Sequence, residues 1–208
     1  MKLNKSEELE TEELEELEEV EGMVILPAQE PEIRAMGLFG DVEEEKIAEI
    51  IGSLLLVRQS GLTIDNENAK NEPVEFLIST TGGNAHDMFA LYDAMRFVRD
   101  KCPIYTVAVG KVMSAGVLLL AGGTKGHRKI GKHCRVMLHG VTSGAIGTIH
   151  NLENEMEEIR WLQDKYLEAL VSETDMTKRF LKKLIARKVN VYLTAEEAVE
   201  YGIADEVI

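Results

Sequence analysis

Three short stretches of this 208-residue chain bring together residue types able to run acyl transfer. They are Gly110-Lys-Val-Met-Ser-Ala-Gly116, the His139 that closes Arg135-Val-Met-Leu-His139, and the pair Gly82-Gly83 after Ser79-Thr-Thr81. A serine hydroxyl attacks a carbonyl only when a base takes its proton, and an imidazole does this near neutral pH. Backbone N–H groups at a helix N-terminus can then hold the oxyanion that develops. Ser114 has a second reading, as a plain cap on a core helix, because serine is a favoured N-cap residue. Lys111, three residues before Ser114, and Lys125 are alternative bases for a Ser–Lys site. His127, His133, Cys134 and His139 fall close together, but their spacing matches no common zinc pattern, so no metal is expected. Neither GxGxxG nor GxxxxGK[ST] occurs at a strand–helix turn, which argues against nucleotide binding.

The elements that must position these groups can be read from periodicity. Ile104–Val109 is an apolar, β-branched run and reads as a buried strand, broken by Gly110 and followed by a packed helix from Ser114 to Ala121. Val74–Ile78 reads as a strand closed by the Ser79–Gly83 turn. Ala85–Val98 has helix spacing, with Met88, Leu91, Met95 and Val98 on one face. Ile33–Leu38 is expected as a strand closed by Phe39-Gly-Asp41, and Val42–Val57 as a helix burying Ile47, Ile50, Ile51, Leu54 and Leu55. Short strands are expected at Met23–Leu26, Arg128–Ile130, Arg135–Leu138, Val191–Leu193 and Glu206–Ile208. Gly61–Glu72 and Gly140–Gly147 read as loops. Ile149–Val171 carries a long helical stripe of Leu152, Met156, Ile159, Leu162, Tyr166 and Leu170, and Phe180–Ala186 continues helical. Thr194-Ala-Glu-Glu197 is a capping-box signature. Strands alternating with helices imply an α/β fold with a mostly parallel sheet, whose functional groups gather at the carboxyl ends of strands. Gly82-Gly83, Ser114 and His139 all occupy such positions.

Composition narrows the function. The formal net charge is −14, the wrong sign for a protein that must grip phosphates, so no nucleic-acid partner is expected. Ten Glu against Lys2 and Lys5 give residues 1–22 a net −8 and leave −6 for the rest. Residues 1–22 therefore read as a solvated acidic arm and 23–208 as the folded domain. Two cysteines, Cys102 and Cys134, form no disulfide framework, no apolar run is long enough to span a membrane, and the N-terminus is unlike a signal peptide. A cytoplasmic protein without membrane contact is expected.

Taken in order, Ile78-Ser-Thr-Thr-Gly-Gly83 with Leu91-Tyr-Asp93, Gly110–Gly116 continuing through Ala121-Gly-Gly-Thr-Lys-Gly-His-Arg128, and Arg135-Val-Met-Leu-His139 resemble the proteolytic subunits of the Clp protease family. The tail Leu193-Thr-Ala-Glu-Glu-Ala-Val-Glu-Tyr-Gly-Ile-Ala-Asp205 matches as well, so the resemblance covers about residues 33–208. It implies the spiral of β-β-α units shared by Clp proteases and crotonases, with a protruding handle at about 140–172. It further implies a serine endopeptidase with Ser114 as nucleophile, His139 as base, and the N–H groups of Gly83 and Ala115 as oxyanion hole. Gly82, Gly140 and Val141 would bind substrate. No cofactor is implied. The implied assembly is a homo-oligomer of heptameric rings stacked as a tetradecamer, acting on polypeptides with an AAA+ unfoldase or another Clp proteolytic subunit.

The chain departs from the family at the third catalytic position, where Asn190 stands in place of an Asp, and no Asp or Glu lies between Lys182 and Thr194. An amide oxygen can accept the imidazole N–H but cannot stabilise an imidazolium by charge. Two functions therefore follow from the resemblance: a peptidase working through Ser114, His139 and Asn190, or a weak or inactive ring subunit that modulates an active partner. Lys188 and Val189 replace an acidic residue and an arginine, Ser79-Thr-Thr81 replaces Asn-Ser-Pro, and the acidic arm replaces the usual axial segment. A third candidate, an acyl-CoA enzyme on the same spiral, is disfavoured by the Ser114/His139 pair.

Overall fold

The computed structural model describes residues 34–63, 72–186 and 189–208, which belong to one unit, Arg34–Ile208. The acidic arm, the Met23–Leu26 strand, most of the Gly61–Glu72 loop and Lys188 lie outside the described residues. In chain order the elements are β1 (Ala35–Val42), α1 (Glu44–Thr63), β2 (Val74–Gly83), α2 (Ala85–Arg99), β3 (Ile104–Met113), α3 (Ala115–Ala121), β4 (Lys129–Ile130), β5 (Arg135–Leu138), α4 (Ile149–Glu173), α5 (Lys178–Ile185), β6 (Val191–Leu193), α6 (Ala195–Glu200) and β7 (Glu206–Val207).

The sheet runs β1-β2-β3-β4-β7, and β3 forks. Val107 and Ala108 pair with β4, while Lys111–Met113 pair with β5. Every pairing is parallel except that of β5 with β6. The mixed α/β architecture with a mainly parallel sheet is the one expected from the alternation of strands and helices.

Three strands run further than their glycines suggested. Phe39-Gly-Asp41 does not close β1, because the pairing with β2 resumes after a register shift between Phe39 and Asp41. Ser79–Gly83 is likewise strand rather than turn. Gly110 does not end β3. It adopts φ +68, the β2–β3 register shifts between Ile78 and Thr80, and pairing picks up again at Val112. A glycine in the left-handed region lets a strand absorb extra residues as a bulge and continue. Helix α1 starts two residues later than expected and runs through Val57 to Thr63.

The core forms where α3 enters the fold. All seven α3 residues are buried, and Leu118, Leu119 and Leu120 are fully so. Met88, Leu91, Met95 and Val98 bury the expected face of α2, and Ile47, Ile50 and Leu54 bury that of α1, with Leu55 left exposed. The capping box of α6 is formed by Thr194 and Glu197. The stripe of α4 divides: Leu162, Tyr166 and Leu170 are buried, while Leu152 and Met156 on its first half face outward. An ionic cluster ties α2, α4 and the chain's last segment together. Arg128 reaches Asp205 at 2.6 Å and the Glu173 carbonyl at 2.7 Å, and Glu173 accepts from Arg99 at 2.6 Å and Tyr92 at 2.7 Å.

Candidate active site

Parallel register brings the candidate nucleophile and base side by side. Met113 on β3 pairs with Met137 on β5, and the Ser114 N–H donates to the Met137 carbonyl at 2.8 Å. Ser114 therefore leaves β3 at the same end of the sheet at which His139 leaves β5. This is the carboxyl end, where open parallel sheets place their sites.

The Ser114 side chain does not cap α3. The residue occupies the N-cap position of α3, yet its side chain makes no capping hydrogen bond. Among the described residues it is the only non-glycine with positive φ, at φ 53 and ψ −119. Such a conformation costs on the order of 1–3 kcal/mol and persists only where its surroundings enforce it. Three contacts do so here: the bond to Met137, a hydrogen bond from the Tyr166 hydroxyl to the Ser114 carbonyl at 3.0 Å, and the packing of Gly82 beneath. A Cβ on Gly82, which has φ +96, would stand 2.6 Å from Ser114 Cβ. The two elements touch because Gly82 has no side chain. On Gly83 a Cβ would collide with the Val42 carbonyl.

Ser114, His139, Gly83 and Ala115 line one cavity of about 300 Å³. Ala115 opens α3, so its N–H has no partner within that helix. Of the expected substrate contacts, Gly140 and Val141 line this cavity, whereas Gly82 supports it from beneath Ser114.

His139 Nδ1 lies 2.5 Å from the Gly140 carbonyl. A carbonyl only accepts, so this contact places the proton on Nδ1 and leaves Nε2 as the basic nitrogen. Asn190 is not in the Ser114 cavity. It lines a second cavity of about 620 Å³ that shares His139, Gly140, Val141 and Thr142 with the first and also includes Asp164 and Lys182. The segment from His139 to Thr142 thus borders both spaces. Asp164 is the one carboxylate of the second cavity among the described residues, and Lys182 Nζ lies 3.9 Å from it.

Sequence reasoning missed several contributors. Tyr166 carries an apolar-stripe position, and nothing in its spacing marks the hydroxyl that reaches Ser114. Burial pushes that phenol well above its ordinary value, so it stays protonated and donates. Glu155 and Glu158 line the Ser114 cavity from α4, although in the sequence they look like part of a solvated face. The alternative base Lys111 pairs in register with Arg135 on the body of the strand. Lys125 donates to the Ser172 carbonyl at 3.3 Å. Neither lines the cavity.

Comparison with known proteins gives the family. The ATP-dependent Clp protease proteolytic subunit of Deinococcus radiodurans is 32% identical over 167 residues, covering 80% of this chain and 76% of that protein. The ATP-dependent Clp protease proteolytic subunit 4 of Rhodococcus jostii is 32% identical over 165 residues, 79% of each chain. The sequence model of the Clp protease family matches residues 31–208, and the chain belongs to that family.

Proposed function

We propose that the chain is a serine endopeptidase subunit of a self-compartmentalised ring protease that cuts unfolded polypeptides into short peptides. The observation that carries this reading is the strained Ser114, held without a capping bond in the same cavity as His139. In the reaction the His139 Nε2 takes the Ser114 proton as Oγ adds to the scissile carbonyl. The Gly83 and Ala115 N–H groups receive the oxyanion. Collapse breaks the C–N bond, and His139 passes its proton to the leaving amine. Water then repeats the sequence on the acyl-enzyme and frees Ser114.

Within this reading the Gly140 carbonyl fixes the imidazole tautomer, a role that otherwise falls to the third catalytic residue. Asn190 then leaves a deficit of charge and not of orientation. A neutral neighbour stabilises the imidazolium less than a carboxylate does, so the expected outcome is slowed turnover. The same observation favours a second reading, a weak or inactive subunit that works in a mixed ring beside active Clp proteolytic subunits.

Assembly into heptameric rings, stacked through the first half of α4, accounts for the outward-facing Ile149, Leu152 and Met156 on that helix. Partners under this reading are an AAA+ unfoldase or another Clp proteolytic subunit, in the cytoplasm. Labelling with a fluorophosphonate tests the chemistry directly. The reagent is expected to add to Ser114, to be lost in Ser114→Ala, and to react far more slowly in His139→Ala. Absence of any adduct on the folded, assembled protein would contradict the peptidase reading.

A further inference from the structure

The helix that walls the Ser114 cavity changes character along its length. Tyr166, Leu162 and Ile159 present hydroxyl and apolar surface near Ser114, and Glu158 and Glu155 continue the same wall toward the outer half of α4. Positions 155, 159, 162 and 166 follow helical i+4, i+3, i+4 steps, and 158 lies one turn before 162. They therefore form one stripe. From Leu162 to Glu158 is one turn, about 6 Å along the helix axis. From α2 the cavity receives Met88 and Phe89, which extend the apolar floor, and His86. Among the described residues no lysine or arginine lines this space, and neither glutamate is engaged in an ion pair.

We propose that Glu155 and Glu158 make this cavity select a lysine or arginine side chain next to the scissile bond, with the aliphatic stem on Leu162 and Ile159 and the cation at the two carboxylates. The inference rests on the peptidase reading of Ser114 and His139. A long cationic side chain is the one type that matches both halves of the wall, since its stem is apolar and its head is charged. A wholly apolar side chain satisfies only the inner half, and an acidic one meets like charge. Each pair is open to solvent, so each carboxylate contributes modestly and the two together set a preference instead of an absolute requirement.

The test uses three fluorogenic peptides that differ only in carrying Lys, Leu or Glu beside the cleaved bond. They are assayed with the full chain and with the Glu155→Gln/Glu158→Gln and Glu155→Lys/Glu158→Lys double variants, each checked for folding and assembly. Binding of the same peptides to Ser114→Ala is followed by fluorescence anisotropy. The wild type is expected to favour Lys over Glu by about tenfold in kcat/KM, with Leu between. That ratio is expected to fall toward unity in the Gln pair, to invert in the Lys pair, and to shrink at high salt. A Lys-to-Glu ratio that is the same in all three proteins, with Leu preferred throughout, overturns the proposal while leaving the peptidase reading intact. If no peptide is cut, the order of binding to Ser114→Ala decides: Lys first and Glu last upholds the selectivity although catalysis has failed, and equal binding overturns it.

Discussion

The Tyr166 hydroxyl donates to the Ser114 carbonyl at 3.0 Å, tying the long helix α4 to the turn that presents the Ser114 side chain. Tyr166 is buried, so the bond is shielded from water and its loss would leave the Ser114 carbonyl to find another donor. Tyr166→Phe keeps the ring packing and removes only this bond. The variant is expected to lose about 1 kcal/mol of stability and to lower kcat more than it raises KM. Chemical denaturation and steady-state peptide hydrolysis read the two effects.

Strain at Ser114 gives a prediction that separates glycine from alanine. Both substitutions remove the hydroxyl, but only glycine takes φ 53 without a Cβ penalty. Ser114→Gly is expected to be about 1 kcal/mol more stable than Ser114→Ala, measured by denaturant midpoint at equal m-value. Equal stabilities would mean that the turn is relaxed.

Gly82 tests the packing beneath Ser114. In Gly82→Ala the new methyl must displace Ser114 Cβ, which lies 2.6 Å from its ideal position. A shift of the nucleophile by even about 1 Å costs on the order of a hundredfold in rate. The expected result is strongly reduced fluorophosphonate labelling of Ser114 in a protein that still folds. Wild-type labelling would show that the contact does not position the serine.

The ionic cluster sets the response to acid. For Asp205 and Glu173, burial pushes the carboxyl up, but hydrogen bonds and charge from Arg128 and Arg99 outweigh it, and both carboxyls titrate below their ordinary values. A lowered folded value means that the folded state binds these protons less readily than the unfolded chain. The stabilisation is therefore full above the unfolded carboxyl values of about 4 and is lost as pH falls through the lowered folded ones. Arg128→Met strands two buried acceptors and one carboxylate, so a loss of about 3–5 kcal/mol is expected, with a smaller stability difference from wild type below pH 4. Thermal melts across pH 3–7 check both parts.

Local chemistry made most of this fold legible. Helix α2 follows its stripe of Met88, Leu91, Met95 and Val98 because the face is continuous and the polar side is unambiguous. The misplaced strand ends came at glycines. Gly110 looked like a strand end, since a single sequence shows that glycine can turn the chain and not that the neighbouring strand will accept a bulge. Ser114 and His139 are visible as types at strand ends, but the backbone angle that frees the Ser114 side chain from capping α3 is not encoded in composition. The Gly140 carbonyl at His139 was invisible for the same reason: every residue has a carbonyl, and only the loop conformation aims this one. Glu155 and Glu158 were hidden among the other charges of α4, and only the placement of the helix over the cavity distinguishes them.

Asn190 bears on the central claim most directly, and hydrolysis of a short fluorogenic peptide by wild type, Ser114→Ala and Asn190→Asp is the measurement to make. A short peptide needs no unfoldase. Slow cleavage by the wild type, abolished in Ser114→Ala and raised about ten- to hundredfold in Asn190→Asp, is the predicted result. Silence from all three proteins, folded and assembled into rings, would contradict the account.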